Sequence, residues 1–395
     1  MRSLRLRLLL RRLGTVLSAA VVLSASPGYA AAAAHSPEAI HTNAKAAALI
    51  DVASGRLLYS SQGDRRMKIA SLTKIMTAVV ALENGRLEDQ VKAGPKAVGK
   101  EGSSLYLKLG ERMSLGNMLY GLMLRSGNDA ATAIAEHVGG TEEGFVHLMN
   151  EKAERLGLTN THFMNPHGLD HKDHYSSAND MARLTAYALH NPVFREIVKT
   201  QVKSAPNPNE SWDYKWYNKN KMLRMYEGAD GVKTGYTKTA FRCLVSSATR
   251  NGQQLAAVTL NDGDDWADHR KLLDWGFAHY PLRELVSEGD PVAGQPYEAA
   301  RPFRYPLADG EERRVKIRLE AERPDTAAYR LGYAGRLRFA LDGRTIGSVP
   351  VRAVPAPEQE ERKERADRKA NASRADSVRS GFAADWLAVI RALFA

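Results

Sequence analysis

"KIASLTKIMTA", residues 68–78, places a hydroxyl and an ammonium, Ser71 and Lys74, three positions apart inside what otherwise reads as the apolar stripe of a helix. In the longer stretch "SLTKIMTAVVALENG", Leu72, Ile75, Met76, Val79, Val80 and Leu82 follow helical spacing. Ser71 stands at the helix start and Gly85 is its stop. Residues at i and i+3 share one face a turn apart, so Ser71 and Lys74 meet without help from the rest of the fold.

The segments around this helix set the fold class. Before it, "KAAALIDVASGRLLYS" gives two apolar runs separated by Ala53-Ser54-Gly55, the pattern of a hairpin. After it, residues 86 to 200 are mostly helical. They include "LGNMLYGLMLRSGNDAATAIAEHVGG", interrupted at Ser126-Gly127-Asn128 and closed by Gly139-Gly140. Beyond the lysine- and aromatic-rich "SWDYKWYNKNKMLRMY", strands return as "ADGVKTGYT", "FRCLVSSATR" and "QQLAAVTL", followed by the helix "DDWADHRKLLDWGFAHY". Strands at both ends with helices between them predict an α/β (α+β) fold, in which a mixed antiparallel sheet is flanked by helices and carries a helical lobe.

We divide the 395 residues accordingly. Residues 1–30 read as a secretory signal, with an arginine-rich start, the apolar run "LGTVLSAAVVLSA" and small residues Gly28 and Ala30 before a cut. A flexible lead (31–44), a main domain that carries the Ser71/Lys74 helix (45–281) and a small β domain (282–354) follow. A charged linker (355–380) then leads to "GFAADWLAVIRALFA" (381–395), where Phe382, Trp386, Ile390 and Phe394 recur every four residues. As a helix this last stretch spans about 22 Å, short of the roughly 30 Å hydrocarbon core, so an interfacial amphipathic anchor fits better than a spanning helix. Arg365, Arg368, Lys369, Arg374 and Arg379 lie upstream to meet anionic lipid. Together these segments predict that the bulk of the chain lies outside the cytoplasm, held at a membrane surface.

Composition narrows the functions. The formal charge is +11, with 56 basic and 45 acidic residues, and five of the basic residues (Arg2, Arg5, Arg7, Arg11, Arg12) belong to the leader. The remaining excess suits an anionic surface, and no nucleic-acid-binding motif accompanies it. Cys243 is the only cysteine, which rules out an intramolecular disulfide and multi-cysteine metal sites. A histidine-rich run, "THFMNPHGLDHKDHY", offers His162, His167, His171 and His174 with Asp170 and Asp173 as a rival zinc site. Its Pro166 and Gly168 argue for a loop instead, and neither a metal nor a cofactor is expected.

A serine hydroxyl needs a base to attack at neutral pH, and a lysine amine serves when burial and nearby positive charge lower its pKa. One S-x-x-K is a chance-level signal, and the motifs "SGN" (126–128) and "KTG" (233–235) raise it. Ser126 can pass a proton between Lys74 and a leaving amine, and Asn128 can orient Lys74 or hold a substrate amide. Lys233 supplies charge that depresses the lysine pKa, Thr234 can bond a substrate carboxylate, and Gly235 lets a substrate lie along the strand edge. The backbone N–H groups of Ser71 and Tyr236 can form an oxyanion hole, in which one donor is worth about 3 to 4 kcal/mol.

With these three motifs in this order, and the phrases "SGNDA", "NPHGL" and "GADGVKTGYT", the chain resembles the low-molecular-mass penicillin-binding proteins, the serine-type D-alanyl-D-alanine carboxypeptidases. The resemblance implies the β-lactamase/transpeptidase-like fold. It also implies removal of the terminal D-alanine from peptidoglycan stem peptides through a Ser71 acyl-enzyme, with Lys74 as base and β-lactams as covalent inhibitors. Two alternatives stay open, a serine β-lactamase and a non-catalytic wall- or membrane-binding scaffold. The chain departs from the family at Phe241-Arg242, where Gly-Tyr is common, which leaves Arg242 or another group to bind the substrate carboxylate alongside Thr234.

Overall fold

A computed structural model describes residues 39–354, so the signal, the charged linker and the amphipathic anchor expected from the sequence lie outside the described residues. The hairpin forms as β1 (Ala46–Asp51) and β2 (Leu57–Ser61). Ser71 and Lys74 follow on a 3₁₀ turn (Ala70–Thr73) that runs directly into α1 (Lys74–Asn84), with Gly85 as its C-cap. The helix start expected at Ser71 is therefore this tighter turn, and the α-helix proper begins at Lys74.

A small ribbon of β3 (Gln90–Lys92) and β4 (Arg112–Ser114) precedes α2 (Leu115–Tyr120), and a π-helical turn (Gly121–Arg125) leads to α3 (Asn128–Gly139). The lobe is completed by α4 (Glu142–Arg155), α5 (Ala178–Leu189) and α6 (Pro192–Lys199). Side-chain oxygens of Thr141, Ser177 and Asn191 accept the free N–H groups at these three helix starts, each cap contributing about 1 kcal/mol. The ribbon of β5 (Val202–Ala205) and β6 (Tyr214–Tyr217) and the short α7 (Met222–Met225) lead back to β7 (Ala229–Thr237), β8 (Phe241–Arg250), β9 (Gln253–Leu260) and α8 (Asp265–His279).

The five-stranded sheet has the order β2-β1-β9-β8-β7, and every pairing in it is antiparallel. Both faces are covered, which explains why β1 is buried at all six positions. Alternate residues Ala46, Ala48 and Ile50 face the helical lobe, while Ala47 and Leu49 pack on the α8 side. α1 runs through the larger core and is buried from Lys74 to Ala81, so its polar side chains must find partners inside the protein. β7, at the sheet edge, lies against the 3₁₀ turn that carries Ser71.

The lead expected to be flexible over residues 31–44 is pinned where it is described. Asn43 donates from its backbone and side chain to Asp268 at 2.5 and 3.2 Å, and Ile40 packs beside α8. Past α8, β10 (Leu282–Val286), β11 (Tyr297–Ala299), β12 (Phe303–Pro306), β13 (Val315–Ala321), the short α9 (Ala327–Arg330), β14 (Gly335–Leu341) and β15 (Arg344–Ala353) build two further sheets. They have their own core, in which Phe303 stacks on Phe339 at 4.4 Å. Arg56, in the β1–β2 turn, reaches this region through Glu311 (2.7 and 2.8 Å) and the Pro306 carbonyl, with its guanidinium over Tyr280 and Tyr305.

Candidate active site

The 3₁₀ turn is held from below by the loop "NPHGL" (165–169). The Asn165 side chain accepts from the backbone N–H of His167 and Gly168 and donates to the Leu169 carbonyl, folding the loop on itself. Gly168 has φ +86°, and a Cβ there would lie 1.9 Å from the Ala70 carbonyl oxygen, so only glycine permits this approach. Ala70 itself has φ +47°, an uncommon conformation for a residue with a side chain, and it turns the chain just before Ser71. Thr73 Oγ1 donates to that same carbonyl at 2.8 Å, while His174 Nε2 lies 2.8 Å from Thr73 Oγ1. Because His174 Nδ1 accepts from the Met164 N–H, the neutral ring carries its proton on Nε2 and donates to Thr73. Burial, with His167, His162 and His171 nearby, pushes His174 down to about 3.

Lys74 Nζ lies 3.1 Å from Ser71 Oγ, 2.7 Å from Asn128 Oδ1 and 2.6 Å from the His167 carbonyl oxygen. The amide and peptide oxygens only accept. As an ammonium, Lys74 spends its three protons on three acceptors. As a neutral amine it has two protons for Asn128 and His167, and its lone pair is left facing the Ser71 hydroxyl. Burial and the charges of Lys233 and Lys219 drive Lys74 well below its ordinary value, toward that neutral form.

The second motif is delivered by the π-helical turn. Ser126 closes it in the left-handed conformation (φ +67°) and is buried, and its hydroxyl makes no hydrogen bond among the described residues. Asn128 opens α3 and donates from Nδ2 to the Glu101 carbonyl at 2.6 Å, which fixes its Oδ1 toward Lys74. Asp129 gathers the backbone N–H groups of Leu105 and Leu107 and the Ser104 hydroxyl, tying loop 103–107 to the motif.

On β7, Lys233 is buried and donates to the Thr234 carbonyl at 2.8 Å, with no ion pair among the described residues. Burial, then the charge of Lys219, lowers it to about 7. A Cβ at Gly235 would lie 3.2 Å from both Ile69 O and Ser71 N, so the strand edge runs against the backbone of Ser71. Tyr236 follows with its side chain exposed. Arg242 pairs across the strands with Tyr236, shares the sheet face of Thr234 by alternation, and is ion-paired with Asp265.

Against this geometry, the family model of the D-alanyl-D-alanine carboxypeptidases matches residues 31–264. The chain belongs to that family. The D-alanyl-D-alanine carboxypeptidase DacF of Bacillus subtilis is 36% identical over 332 residues, which make up 78% of this chain and 85% of that protein. The crystal structure of penicillin binding protein 5 from Haemophilus influenzae matches with a TM-score of 0.66 at 29% identity, covering 80% of this chain and 98% of that one. A D-alanyl-D-alanine carboxypeptidase of a Streptomyces strain is 34% identical over 244 residues, 57% of this chain and 84% of its own length.

All three motifs of this carboxypeptidase meet around Lys74, and three further groups join them that the sequence reading did not single out. The His167 main-chain carbonyl is one and the His174–Thr73 brace is another. The third is Lys219, exposed, whose Nζ donates to Ser103 Oγ at 2.9 Å and whose charge acts on both Lys74 and Lys233. The histidines of the rival zinc cluster have separate tasks. His162 Nδ1 bonds the Asp173 carbonyl, His167 Nε2 faces Glu142 at 3.5 Å, His171 is exposed and His174 braces the turn.

Proposed function

We propose that Ser71 is the nucleophile with which this D-alanyl-D-alanine carboxypeptidase attacks the carbonyl of the penultimate D-alanine of a peptidoglycan stem peptide. Lys74 takes the hydroxyl proton through the lone pair that Asn128 and the His167 carbonyl leave free. Ser126 hands that proton to the departing amine of the terminal D-alanine. The Ser71 and Tyr236 N–H groups hold the oxyanion, Lys233 supplies positive charge, and Thr234 and Gly235 seat the substrate's carboxylate and backbone along the edge of β7. Water then hydrolyses the ester. The observation that carries this reading is the buried Lys74 Nζ 3.1 Å from Ser71 Oγ, with both other partners restricted to accepting.

A β-lactam presents a strained amide to the same serine. Intact-protein mass spectrometry after incubation with benzylpenicillin should show one adduct, localised to Ser71 and absent from Ser71→Ala. A folded protein that acquires no adduct would sink the assignment.

We also assign the division of labour along the chain, with residues 45–281 as the catalytic domain and 282–354 as a spacer that distances it from the membrane. Residues 1–30 direct export and residues 381–395 bind the outer face of the cytoplasmic membrane. Support comes from the separate core of residues 282–354 and from the family model, whose match ends at residue 264. No helix among the described residues is long and apolar enough to cross a membrane. A chain ending at residue 380 should remain penicillin-reactive and move from the membrane fraction to the soluble fraction; retention on membranes would refute the anchor.

A further inference from the structure

Lys74 owes its aim to two acceptors on two different segments, the His167 carbonyl and Asn128 Oδ1, and one carboxylate outside the three motifs ties those segments together. Glu142 opens α4 with its side chain 16% exposed. Its Oε2 lies 3.3 Å from Lys100 Nζ, and its Oε1 lies 3.5 Å from His167 Nε2. Glu143, the next residue, is 76% exposed and pairs on the surface with Lys96, which is how a carboxylate sits when it serves only the positive end of a helix. Glu142 instead turns inward.

Each arm of Glu142 ends on backbone that Lys74 depends on. On one side, His167 Nδ1 accepts from the Leu169 N–H at 3.3 Å, so the neutral ring carries its proton on Nε2. That nitrogen is buried, has no hydrogen-bond partner among the described residues and faces the Glu142 carboxylate. The ring belongs to the loop "NPHGL", whose His167 carbonyl takes one Lys74 proton at 2.6 Å. On the other side, Lys100 leads into residues 101–103, which belong to no helix or strand. There the Glu101 carbonyl accepts from Asn128 Nδ2 at 2.6 Å and the Ser103 carbonyl from the Asn128 N–H at 2.7 Å, while Asn128 Oδ1 takes a second Lys74 proton at 2.7 Å. Between them Gly102 has φ +88°, and a Cβ there would lie 2.9 Å from Asn128 Nδ2, so the segment wraps the amide closely. With no ladder to hold it, this segment is placed by anchors such as Lys100 on Glu142. The facing His167, then Lys100, keep the Glu142 carboxyl below its usual range despite partial burial, so the bridge is ionised at neutral pH.

We propose that Glu142 is a positioning residue for acyl transfer: by bridging Lys100 and His167 it sets the spacing of the Asn128 and His167 oxygens about Lys74, and so aims the lysine at Ser71. The inference rests on the assignment of Lys74 as the base for Ser71. Glu142 itself touches no reacting atom. Its effect belongs to the chemical step and not to the binding of substrate, and the Lys100 arm acts only while Glu142 is there to receive it.

Stopped-flow acylation of the full-length protein by a chromogenic cephalosporin separates the two, giving the dissociation constant of the first complex and the rate constant at saturation. Glu142→Ala should lower the rate constant about 10- to 100-fold at about pH 7 and leave the dissociation constant within about twofold of wild type. Lys100→Met and Glu142→Gln, which disturb the bridge without removing the Glu142 side chain, should each lose part of that rate and keep the test open if the alanine variant does not fold. Adding Lys100→Met to Glu142→Ala should cost nothing further. Glu143→Gln, which removes a neighbouring charge from the same helix start, should acylate as wild type does. A wild-type rate in Glu142→Ala, additive losses in the double variant, or an equal loss in Glu143→Gln would overturn the inference and leave Lys74 as the base. So would a loss in Glu142→Ala that appears as weaker binding with an unchanged rate constant. Failure of the wild type to be acylated at all would overturn the assignment of Ser71 and Lys74 and the role of Glu142 with it.

Discussion

The hydrogen bond between Lys74 and Ser71 reverses its direction with the charge of the lysine, because Asn128 Oδ1 and the His167 carbonyl claim two protons in either state. Charged, Lys74 donates to the serine; neutral, it accepts from it. Acylation should therefore rise with pH as Lys74 loses its proton, at a pH well below that of an ordinary lysine. It should fall again above about pH 7 as Lys233 loses the charge that assists the site. Stopped-flow acylation by a chromogenic cephalosporin between about pH 5 and 9 checks this, the two limbs belonging to the coupled lysines together. A rate that rises only near the pKa of a free lysine would refute the burial argument.

Lys219 offers a way to move those limbs without touching the reacting atoms. Its charge is among the causes that lower Lys74 and Lys233, and its side chain is anchored on Ser103. Lys219→Met should let both pKa values rise, so the acid limb shifts to higher pH and acylation at a fixed acidic pH slows, whereas Lys219→Arg should keep the wild-type profile. A methionine variant slowed equally at every pH would point to displaced geometry instead.

Gly168 tests the brace under Ser71. A methyl group at this position meets the Ala70 carbonyl at 1.9 Å and Thr73 Oγ1 at 2.8 Å, with the backbone at φ +86°. Gly168→Ala should cost about 2 to 4 kcal/mol of stability, and the folded fraction should acylate slowly because Ala70 must move and Ser71 with it. Urea unfolding alongside penicillin labelling checks both; a variant with the wild-type midpoint and rate would show that the loop yields freely.

How much of this was legible beforehand follows from where the information sits. Ser71, Lys74 and the flanking apolar residues lie on one element, so a 3.6-residue period is enough to pair them. Ser126, Asn128 and Lys233 lie on other elements, but each interrupts a periodic run with residue types that a packed core does not call for. Lys219 sits in "YNKNKML" beside another lysine, and nothing in that run tells a free solvated charge from one anchored near the site until loop 101–107 is placed beside it. The His167 carbonyl carries no side-chain signature at all, and the spacing of the four histidines suggested a metal because their separate partners lie on other segments. Arg242 was open as a carboxylate ligand. Its ion pair with Asp265 depends on the start of α8 being brought to β8, a tertiary relation that neither strand nor helix pattern contains.

Three buried histidines, His167, His174 and His269, are each held below the ordinary imidazole pKa by burial and make the fold sensitive to acid. His174 braces the 3₁₀ turn that carries Ser71, and His269 on α8 lies between Ser246 Oγ at 2.5 Å and Thr259 Oγ1 at 3.1 Å; burial lowers each of these two from 6.5 to about 3. The unfolded chain therefore binds these two protons more tightly than the native one. Their contribution to stability is whole above about pH 6.5 and is lost as the pH falls from there toward 3, by about 1.4 kcal/mol per pH unit for each histidine. Stability measured by urea unfolding from about pH 7.5 down to 4.5 should decline with falling pH, and a His174→Asn variant, less stable at neutral pH through loss of the Thr73 contact, should decline less steeply than wild type. Midpoints that hold constant across the range would mean that protonated imidazole is accommodated at all three sites.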